Sequence, residues 1–299
     1  MIYVAIACWL VIMSKKLRDD FCVFILTHGR PDNQYTLRSM LRRGYTGRYY
    51  FVVDDEDPTL DQYLGLYGEK VLQFSKAEYA KVTDICDLIP GYGSVVYARH
   101  ACFDLAADLG CKYFMQFDDD YTTFGYRFDH ELQYGWFPIH DLDSLFAELL
   151  EFYIDVPGCF SLCVSQGGDH VGGAAGSYGK KITLSRKVMN TFLCSTERPF
   201  KFIGRANDDV TTYTLRGRMG ELFFTINSVQ ITQQQTQKTK GGMTDTYLQN
   251  GTYIKSFYSV MNCPSSVTVG QVGEKHKRLH HRIDWRRTVP KILHERWAE

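Results

Sequence analysis

Three consecutive aspartates, Asp118, Asp119 and Asp120, follow the mostly apolar run Lys112–Phe117. In an extended chain Asp118 and Asp120 point to one side of the strand and Asp119 points to the other. Two carboxylates on one side can bind a hard divalent cation such as Mg²⁺ or Mn²⁺, whose shell is then typically completed by substrate phosphates. Aspartate is also a common turn residue, because its side chain bonds nearby backbone readily. The triplet is therefore either a metal site or a solvated turn.

Two further acidic stretches accompany the triplet. Asp54–Asp57 follows the apolar run Arg48–Val53, and Asp208 and Asp209 stand at the start of a predicted helix within Gly204–Gly220. Ligands of open α/β sheets gather beyond the carboxyl ends of the strands, so Asp54–Asp57 and the triplet are predicted to share one ligand edge. For Asp208 and Asp209 the structural alternative is a helix cap.

The elements that must position these residues alternate between strand-like and helix-like patterns. Strands are predicted over Phe21–Leu26, Arg48–Val53 and Lys112–Phe117, and helices over Asn33–Leu41 and Ser94–Leu109, the second of which stops at Gly110. This alternation predicts an α/β fold with a mainly parallel sheet. Arg99 lies at the edge of the apolar stripe of the second helix, where its guanidinium either reaches water or meets an anion near the ligand edge.

Composition limits the classes of function. The chain has 299 residues, 44% of them hydrophobic, which suffices for one large domain. Its 34 basic and 34 acidic side chains cancel, so contact with nucleic acid or membrane must be local. Nine cysteines without CxxC pairs are typical of reduced core thiols in a cytosolic protein.

The first twelve residues, MIYVAIACWLVI, are apolar. They are fewer than the roughly 20 that span a bilayer, and no basic residue precedes them as in a signal peptide. We interpret them as an extension upstream of a start at Met13, with a membrane anchor as the alternative.

Four segments together resemble the nucleotide-sugar half of the GT-A glycosyltransferases: FCVFILTHGRP, YYFVVDDED, the helix with Ala98 and Arg99, and YFMQFDDDY. In that family a DxD motif holds the metal on a nucleotide diphosphate. GRANDDVTTYTLRGRMG is similar to the family's xED element, with Asn207, Asp208 and Asp209 at its three positions and Asp in place of Glu. The resemblance covers residues 21–220 and implies a GT-A type mixed sheet flanked by helices.

The C-terminal third resembles the TET/JBP-associated glycosyltransferases, phage enzymes thought to decorate hydroxymethylated pyrimidines in DNA. Two segments carry this likeness, KGGMTDTYLQNGTYIKSFYSVMNCPSSV and RLHHRIDWRRTVPKIL. The expected organisation is an N-terminal extension (1–20), a GT-A core (21–220) and a C-terminal acceptor-side and metal-completing region of the same domain (221–299).

The resemblance implies a divalent metal, Mn²⁺ or Mg²⁺, held by Asp118 and Asp120. His280 or His281 is expected to complete the metal shell. The alternative is that these histidines belong to a solvated surface that contacts phosphates.

The donor implied is a UDP-sugar. Asp209, with Asp208 second, is the expected general base of an inverting transfer. Asp54 or Asp55 is expected to bond the base or ribose, and Arg99 and Arg30 to offset phosphate charge. The residues expected to contact the donor are Thr27, His28, Arg30, Asp54, Asp55, Arg99, Asp118 and Asp119. We expect Asp119 itself to make local backbone hydrogen bonds.

Three C-terminal or loop segments complete the prediction. The strongest basic cluster, residues 275–287, is what contact with a DNA backbone would need in a chain of zero net charge. Ser165–Lys181 holds six glycines and is expected to be mobile near a ligand. Gln230–Thr246 is polar and is either a flexible linker or an acceptor-binding loop.

The sequence thus predicts a metal-dependent GT-A glycosyltransferase that moves a sugar, most simply glucose from UDP-glucose, to a hydroxymethylpyrimidine of phage DNA in the bacterial cytoplasm. No stable membrane association is expected. The alternatives are a GT-A enzyme acting on a protein, glycan or small metabolite, and, ranked lower, a sugar-nucleotidyltransferase or an inactive sugar-nucleotide-binding module.

Overall fold

A central mixed sheet organises the chain. The computed structural model describes residues 15–87, 93–170, 172–176, 182–234, 254–273 and 277–295. The strands of the sheet are β1 (Phe21–Leu26), β2 (Arg48–Asp54), β3 (Val71–Phe74), β4 (Tyr113–Asp118), β5 (Tyr121–Phe128), β6 (Tyr134–Pro138), β7 (Cys159–Gln166), β8 (Ile182–Thr183), β9 (Thr191–Ser195) and β10 (Leu222–Gln233). A separate antiparallel pair, the C-terminal ribbon, consists of β11 (Val267–Val272) and β12 (Arg278–Ile283).

Eight α-helices lie in the described residues. They are α1 (Tyr35–Arg42), α2 (Leu60–Tyr67), α3 (Lys76–Ala80), α4 (Val96–Asp108), α5 (Leu142–Asp155), α6 (Asp208–Arg218), α7 (Ile254–Asn262) and α8 (Trp285–Thr288). None of the helices in this part of the chain is long and apolar enough to cross a bilayer.

The strand order is β3-β2-β1-β4-β9-β7-β10-β5-β6, with β8 paired to β10. Strands β1 to β4 are mutually parallel where they pair, whereas β9, β5 and β6 run antiparallel to their neighbours. In the parallel half, Leu26 pairs with Val52 on one side and Asp118 on the other. The carboxyl ends of β1, β2 and β4 therefore meet at one edge.

Both faces of the sheet are buried. Alternate residues of β1 contribute to two cores, Phe21, Val23 and Ile25 to one and Cys22, Phe24 and Leu26 to the other. Helices α1, α2 and α5 cover the first face, and α4 and α6 cover the second. A strand covered on both sides reads as a continuous apolar run, which is why FCVFIL is recognisable in the sequence.

The α/β prediction is confirmed, and the three predicted strands agree with β1, β2 and β4 to within one residue at each end. The segment 112–117 is the fourth strand rather than the third, because the short strand β3 precedes it. The eight cysteines of the described residues are free thiols, and all except the half-buried Cys86 are buried.

Two loop predictions need correction or lie partly outside the described residues. Gln230–Gln233 is not a linker but the end of β10, an inner strand, and residues 235–253 lie outside the described part. Ser165–Lys181 includes the end of β7 and two short 3₁₀ turns, Gly167–His170 and Gly173–Ala175; residues 171 and 177–181 lie outside it. Residues 1–14, with the apolar N-terminal stretch, are likewise outside.

Candidate active site

The backbone of the aspartate triplet is held by helix α1. The Thr36 hydroxyl donates to the Asp118 carbonyl (2.5 Å), and the Thr36 amide donates to the Asp119 carbonyl (3.1 Å). The same hydroxyl accepts from the Tyr121 amide (2.9 Å), and the Tyr121 hydroxyl accepts from the Asp118 amide (3.1 Å). These bonds satisfy the backbone of the turn, so the three carboxylates are left to make other contacts.

The three carboxylates diverge. Asp118 faces Arg99, with 3.5 Å between Oδ1 and the guanidinium Nη2. Asp119 turns the other way and accepts from the Thr27 hydroxyl (2.6 Å) and the Arg30 guanidinium (2.8 Å). The predicted local backbone hydrogen bonds are therefore not the whole role of Asp119, because its side chain also ties β4 to the loop after β1. Asp120 has one buried oxygen, Oδ1, that makes no hydrogen bond to the described residues.

Negative charge is in excess at this turn. Burial raises the pKa of Asp120 to about 7, and the neighbouring Asp118 and Asp119 add to the effect. Burial also raises the pKa of Asp118 to about 6, although Arg99 opposes the change. An unpartnered buried carboxylate oxygen beside a second acid suits a hard divalent cation, whose preferred ligands are carboxylate oxygens. Asp118 and Asp120 thus fit the predicted metal.

Arg99 is buried within the protein. Its Nε lies 2.8 Å from Asp208 Oδ2, and its guanidinium carbon lies 4.9 Å from the centre of the Phe192 ring. Burial alone would lower the pKa of the Arg99 guanidinium, but Asp208 and Asp118 raise it above the usual value. The predicted place at the edge of the apolar stripe is wrong, because this part of α4 is buried all round. The anions that Arg99 meets here are protein carboxylates, and its contact with phosphate stays a prediction.

Helix α6 supplies two more carboxylates at its first turn. Asp208 is engaged by Arg99, whereas Asp209 Oδ1 accepts only from the adjacent Val210 amide (2.8 Å) among the hydrogen bonds of the described residues. Burial raises the pKa of Asp209 to about 6, and Asp208 adds to the shift. A buried carboxyl group with a pKa near neutrality has the properties of a general base. The environment of Asp209 therefore suits a general base better than that of Asp208, and the catalytic role of either carboxylate stays a prediction.

The end of β2 carries a second group of polar side chains. Asp54 bonds His28 Nδ1 (2.7 Å) and the Lys76 ammonium (3.0 Å). Asp57 accepts from the Gly29 amide (2.7 Å) and lies 3.5 Å from His28 Nδ1. Among the described residues, His28, Asp54 and Asp57 are the one group of three such side chains close enough to hold a metal ion. Asp55 accepts from the Lys76 amide (2.9 Å).

The C-terminal histidines lie on β12. His281 Nδ1 is 3.0 Å from the side-chain Nδ2 of Asn207, the residue before α6. Burial lowers the pKa of His281 to about 3, and His280 beside it contributes. Neither histidine falls into a metal-sized group with Asp118 and Asp120 in the described part of the chain. Their place in a metal shell stays a prediction.

The basic segment is only partly described. The side chains of Lys277, Arg282, Arg286 and Arg287 are exposed, while residues 274–276 lie outside the described residues. Arg287 pairs with Asp284 at 3.3 Å, and Arg282 donates to the Gln271 carbonyl (2.9 Å). A basic surface is therefore present on and just after the ribbon.

Sequence reasoning missed several polar residues that support the site. The Tyr63 hydroxyl on α2 bonds the Thr27 hydroxyl (2.7 Å) and accepts from the Arg30 amide (3.0 Å). Gln34 donates to Thr27 (3.0 Å), and Lys76 neutralises Asp54. For Lys76 the signal was weak, since it begins a helix just after the short apolar run Val71–Phe74. For Tyr63 there was none, because its role depends on where α2 packs.

Comparison with known proteins gives a family match. The family model described as TET-Associated Glycosyltransferase matches residues 21–242. The match spans the predicted core (21–220) and continues past it to the first three residues of KGGMTDTYLQNGTYIKSFYSVMNCPSSV. Comparison of the sequence with curated proteins finds no match.

Several solved structures resemble the chain, and three of them illustrate the likeness. Glucosyl-3-phosphoglycerate synthase from Mycobacterium tuberculosis with Mg²⁺ and UDP is 10% identical, with a TM-score of 0.44 over 88% of this chain and 87% of that one. Mannosyl-3-phosphoglycerate synthase from Rubrobacter xylanophilus is 12% identical, with a TM-score of 0.42 over 88% and 86%. GalNAc-T7 with UDP, GalNAc and Mn²⁺ is 8% identical, with a TM-score of 0.40 over 71% and 43%.

The family model covers well over half of the chain, and the acidic residues that the family resemblance singles out gather at one edge of the sheet. The chain belongs to the TET-associated glycosyltransferase family, and it is a glycosyltransferase.

Proposed function

We propose that this protein is a metal-dependent glycosyltransferase that transfers a sugar, in the simplest case glucose from UDP-glucose, to the hydroxyl group of a 5-hydroxymethylpyrimidine in phage DNA. Such an acceptor would place the enzyme in the cytoplasm of the infected bacterium. The observation that carries the proposal is the arrangement of Asp118, Arg99, Asp208 and Asp209 next to Asp120, whose buried Oδ1 makes no hydrogen bond to the described residues, in a chain of this family.

Asp118 and Asp120 would hold the divalent ion together with the donor diphosphate. A bound divalent ion stabilises, as a Lewis acid, the charge that develops on the leaving diphosphate. The Arg99 guanidinium keeps Asp118 and Asp208 together and limits their mutual repulsion, since it bridges both carboxylates. The protein thereby presents oxygen ligands that are oriented before the donor arrives.

Asp209 would act on the acceptor in an inverting transfer. As the acceptor oxygen forms its bond to the anomeric carbon, Asp209 takes the hydroxyl proton, and the bond between that carbon and the diphosphate oxygen breaks. Asp208 cannot do this equally well, because its carboxylate is already paired with Arg99 at 2.8 Å.

The nucleoside would lie against the ends of β1 and β2. His28 is half-exposed there, and its ring is oriented by Asp54. The Asp54 carboxylate is neutralised by His28 and Lys76, so it can accept a hydrogen bond from a base or a ribose without leaving an unpaired charge in the site. Thr27 and Arg30, tied to Asp119, fix the loop that borders this surface.

DNA as the acceptor is supported by the exposed basic side chains of Lys277, Arg282, Arg286 and Arg287. A local cluster of this kind can contact phosphates even in a protein of zero formal charge.

The test is a transfer assay. The protein is incubated with Mn²⁺, labelled UDP-sugars and DNA that contains 5-hydroxymethylcytosine, 5-hydroxymethyluracil or neither, and label in the DNA is counted. We expect label only in hydroxymethylated DNA. Equal label in all three DNAs, or none with any donor, would overturn the proposed acceptor.

A binding experiment tests the basic surface separately. Lys277→Glu combined with Arg286→Glu should weaken DNA binding and flatten its dependence on salt, because two phosphate contacts are lost. Lys81→Glu is the matched control, since Lys81 is exposed on a different surface. Equal DNA affinity of the double variant and the control would exclude this basic surface from the acceptor site.

A further inference from the structure

Helix α6 begins in an unusual backbone conformation. Its N-cap residue, Asn207, has φ 57° and ψ 31°, which is left-handed, and its side chain makes no capping bond to the helix. Asparagine tolerates this region better than most residues, but a conformation of this kind persists only when surrounding contacts determine it. Those contacts lie outside α6.

The contacts come from the C-terminal region. The side-chain amide nitrogen of Asn207, Nδ2, lies 3.0 Å from His281 Nδ1 on β12 and 3.3 Å from the Ser259 hydroxyl on α7. His281 is buried, with 9% of its surface exposed. With the amide as donor, Nδ1 accepts, so the proton of the neutral ring is on Nε2. A protonated Nε2 has no lone pair to offer a metal.

The backbone conformation of Asn207 sets the direction in which α6 begins, and with it the orientation of the two carboxylates in the first turn. Asp208 and Asp209 are the first two residues of the helix, directly after Asn207. Asp208 reaches Arg99, and Arg99 reaches Asp118. His281 is thus connected to the aspartate triplet through one side chain at the helix start and one buried ion pair.

We propose that His281 is a positioning residue that holds the start of α6 through Asn207, so that Asp209 and the Arg99–Asp208 pair are correctly placed, and that it is not a ligand of the metal. This rests on the proposed function, in which Asp209 is the base. In the contact with Asn207, His281 accepts a hydrogen bond at Nδ1. A metal ion would have to be bound by the other ring nitrogen, Nε2.

Two conservative substitutions separate these roles. In His281→Asn the side-chain oxygen takes the place of Nδ1, and in His281→Gln a polar atom takes the place of Nε2. We expect His281→Ala to lower kcat for sugar transfer by about 10- to 100-fold, with KM for the donor and the affinity for Mn²⁺ in the presence of UDP unchanged within about twofold. His281→Asn should recover most of the loss, and His281→Gln should not. Asn207→Ala should reproduce His281→Ala, and the double variant should lose no more than either single one.

Thr268→Ala is the control, since Thr268 is exposed on the same ribbon, opposite Arg282 in register. The titration of Mn²⁺ with UDP, followed by calorimetry, does not depend on turnover. A tenfold or larger loss of Mn²⁺ affinity in His281→Ala, or rescue by Gln instead of Asn, would overturn the proposal in favour of metal ligation. Additive losses in His281→Ala and Asn207→Ala would also overturn it. If the wild-type protein transfers no sugar, the proposed function fails, while the coupling of the two substitutions in thermal stability still tests the contact.

Discussion

Two acidic strand ends lie side by side at the ligand edge, yet their electrostatics differ. At the end of β2, burial alone would raise the pKa of Asp54, but His28 and Lys76 lower it below its usual value. At the end of β4, burial and the neighbouring carboxylates raise the pKa of Asp120 to about 7. The first group has its cations in place, and the second has too few. Two carboxylate clusters in one site can therefore have different roles, depending on whether basic side chains of the protein already neutralise them.

This comparison bears on which group binds the metal. His28, Asp54 and Asp57 are close enough to hold an ion. However, Lys76 lies 3.0 Å from Asp54, and Asp57 is used by the amides of Gly29 and Thr59. A divalent ion there would displace these partners or be repelled by the ammonium group. The compensated cluster suits the nucleoside side of the donor, and the uncompensated triplet suits the metal.

The largest effect is expected from Asp120→Asn. Loss of a metal ligand should reduce transfer by about 10³-fold or more. Without metal, the same change should leave the melting temperature equal or higher, because it removes an uncompensated charge. Asp57→Asn is the counterpart: transfer should fall less than about tenfold, and stability should fall by about 1–3 kcal/mol, since donors at Gly29 and Thr59 lose a charged acceptor. Similar behaviour of the two variants in transfer rates and thermal melting would contradict the comparison.

Asp209→Asn and Asp208→Asn test the two carboxylates of α6. Asp209→Asn should lower transfer by about 10²- to 10⁴-fold with UDP–Mn²⁺ binding retained, because a proton acceptor is lost. Asp208→Asn should destabilise the protein by about 3 kcal/mol, because the buried Arg99 loses its closest partner. Transfer kinetics and urea unfolding measure the two effects. Normal turnover of Asp209→Asn would place the base elsewhere.

Lys76→Met tests whether the ammonium group neutralises Asp54 at the end of β2. Asp54 then keeps His28 and the Glu56 amide but loses its ammonium partner, and we expect a loss of about 1–2 kcal/mol in the free energy of unfolding. The donor KM should rise, while Mn²⁺ affinity should stay unchanged. Lys81→Met, at an exposed pair with Glu78, should change stability by less than about 0.5 kcal/mol. If Lys76→Met binds Mn²⁺ more tightly at β2, the compensated cluster is the metal site after all.

Two histidines lie in opposite environments, and one of them should make the stability of the protein depend on pH. The bond to Asp54 raises the pKa of His28, whereas burial lowers the pKa of His100 to about 4, since its contacts are the Thr83 hydroxyl and the Phe202 amide. A lowered pKa gives stability that is present above the ordinary value of about 6.5 and is lost as the pH falls toward 4. Wild type should therefore lose up to about 3 kcal/mol more than His100→Gln between pH 6.5 and 4. In urea unfolding, His130→Gln, at an exposed site, should lose as much free energy of unfolding between pH 6.5 and 4 as the wild type does. An equal loss in His100→Gln would contradict the prediction.

The parts of the fold that were predictable are those coded by local pattern. FCVFIL and the run before the aspartates are continuous apolar strands, and Gly110 ends α4 in a left-handed conformation (φ 66°). What could not be predicted depends on long-range packing. The burial of Arg99 follows from Asp208, 109 residues away, and the partner of Asp119 lies 92 residues back along the chain. Lys76 was missed because β3 is only four residues long. Residue types could be assigned to the site from the sequence, but their pairing could not.

The most direct test of the account is to locate the metal. Crystals of the protein grown with UDP and Mn²⁺ would show the ion by its anomalous scattering. The account predicts one manganese bound by Asp118 and Asp120, with the His28–Asp54–Lys76 contacts intact beside the nucleoside. A manganese bound by His28, Asp54 and Asp57, with the aspartate triplet free of metal, would contradict it.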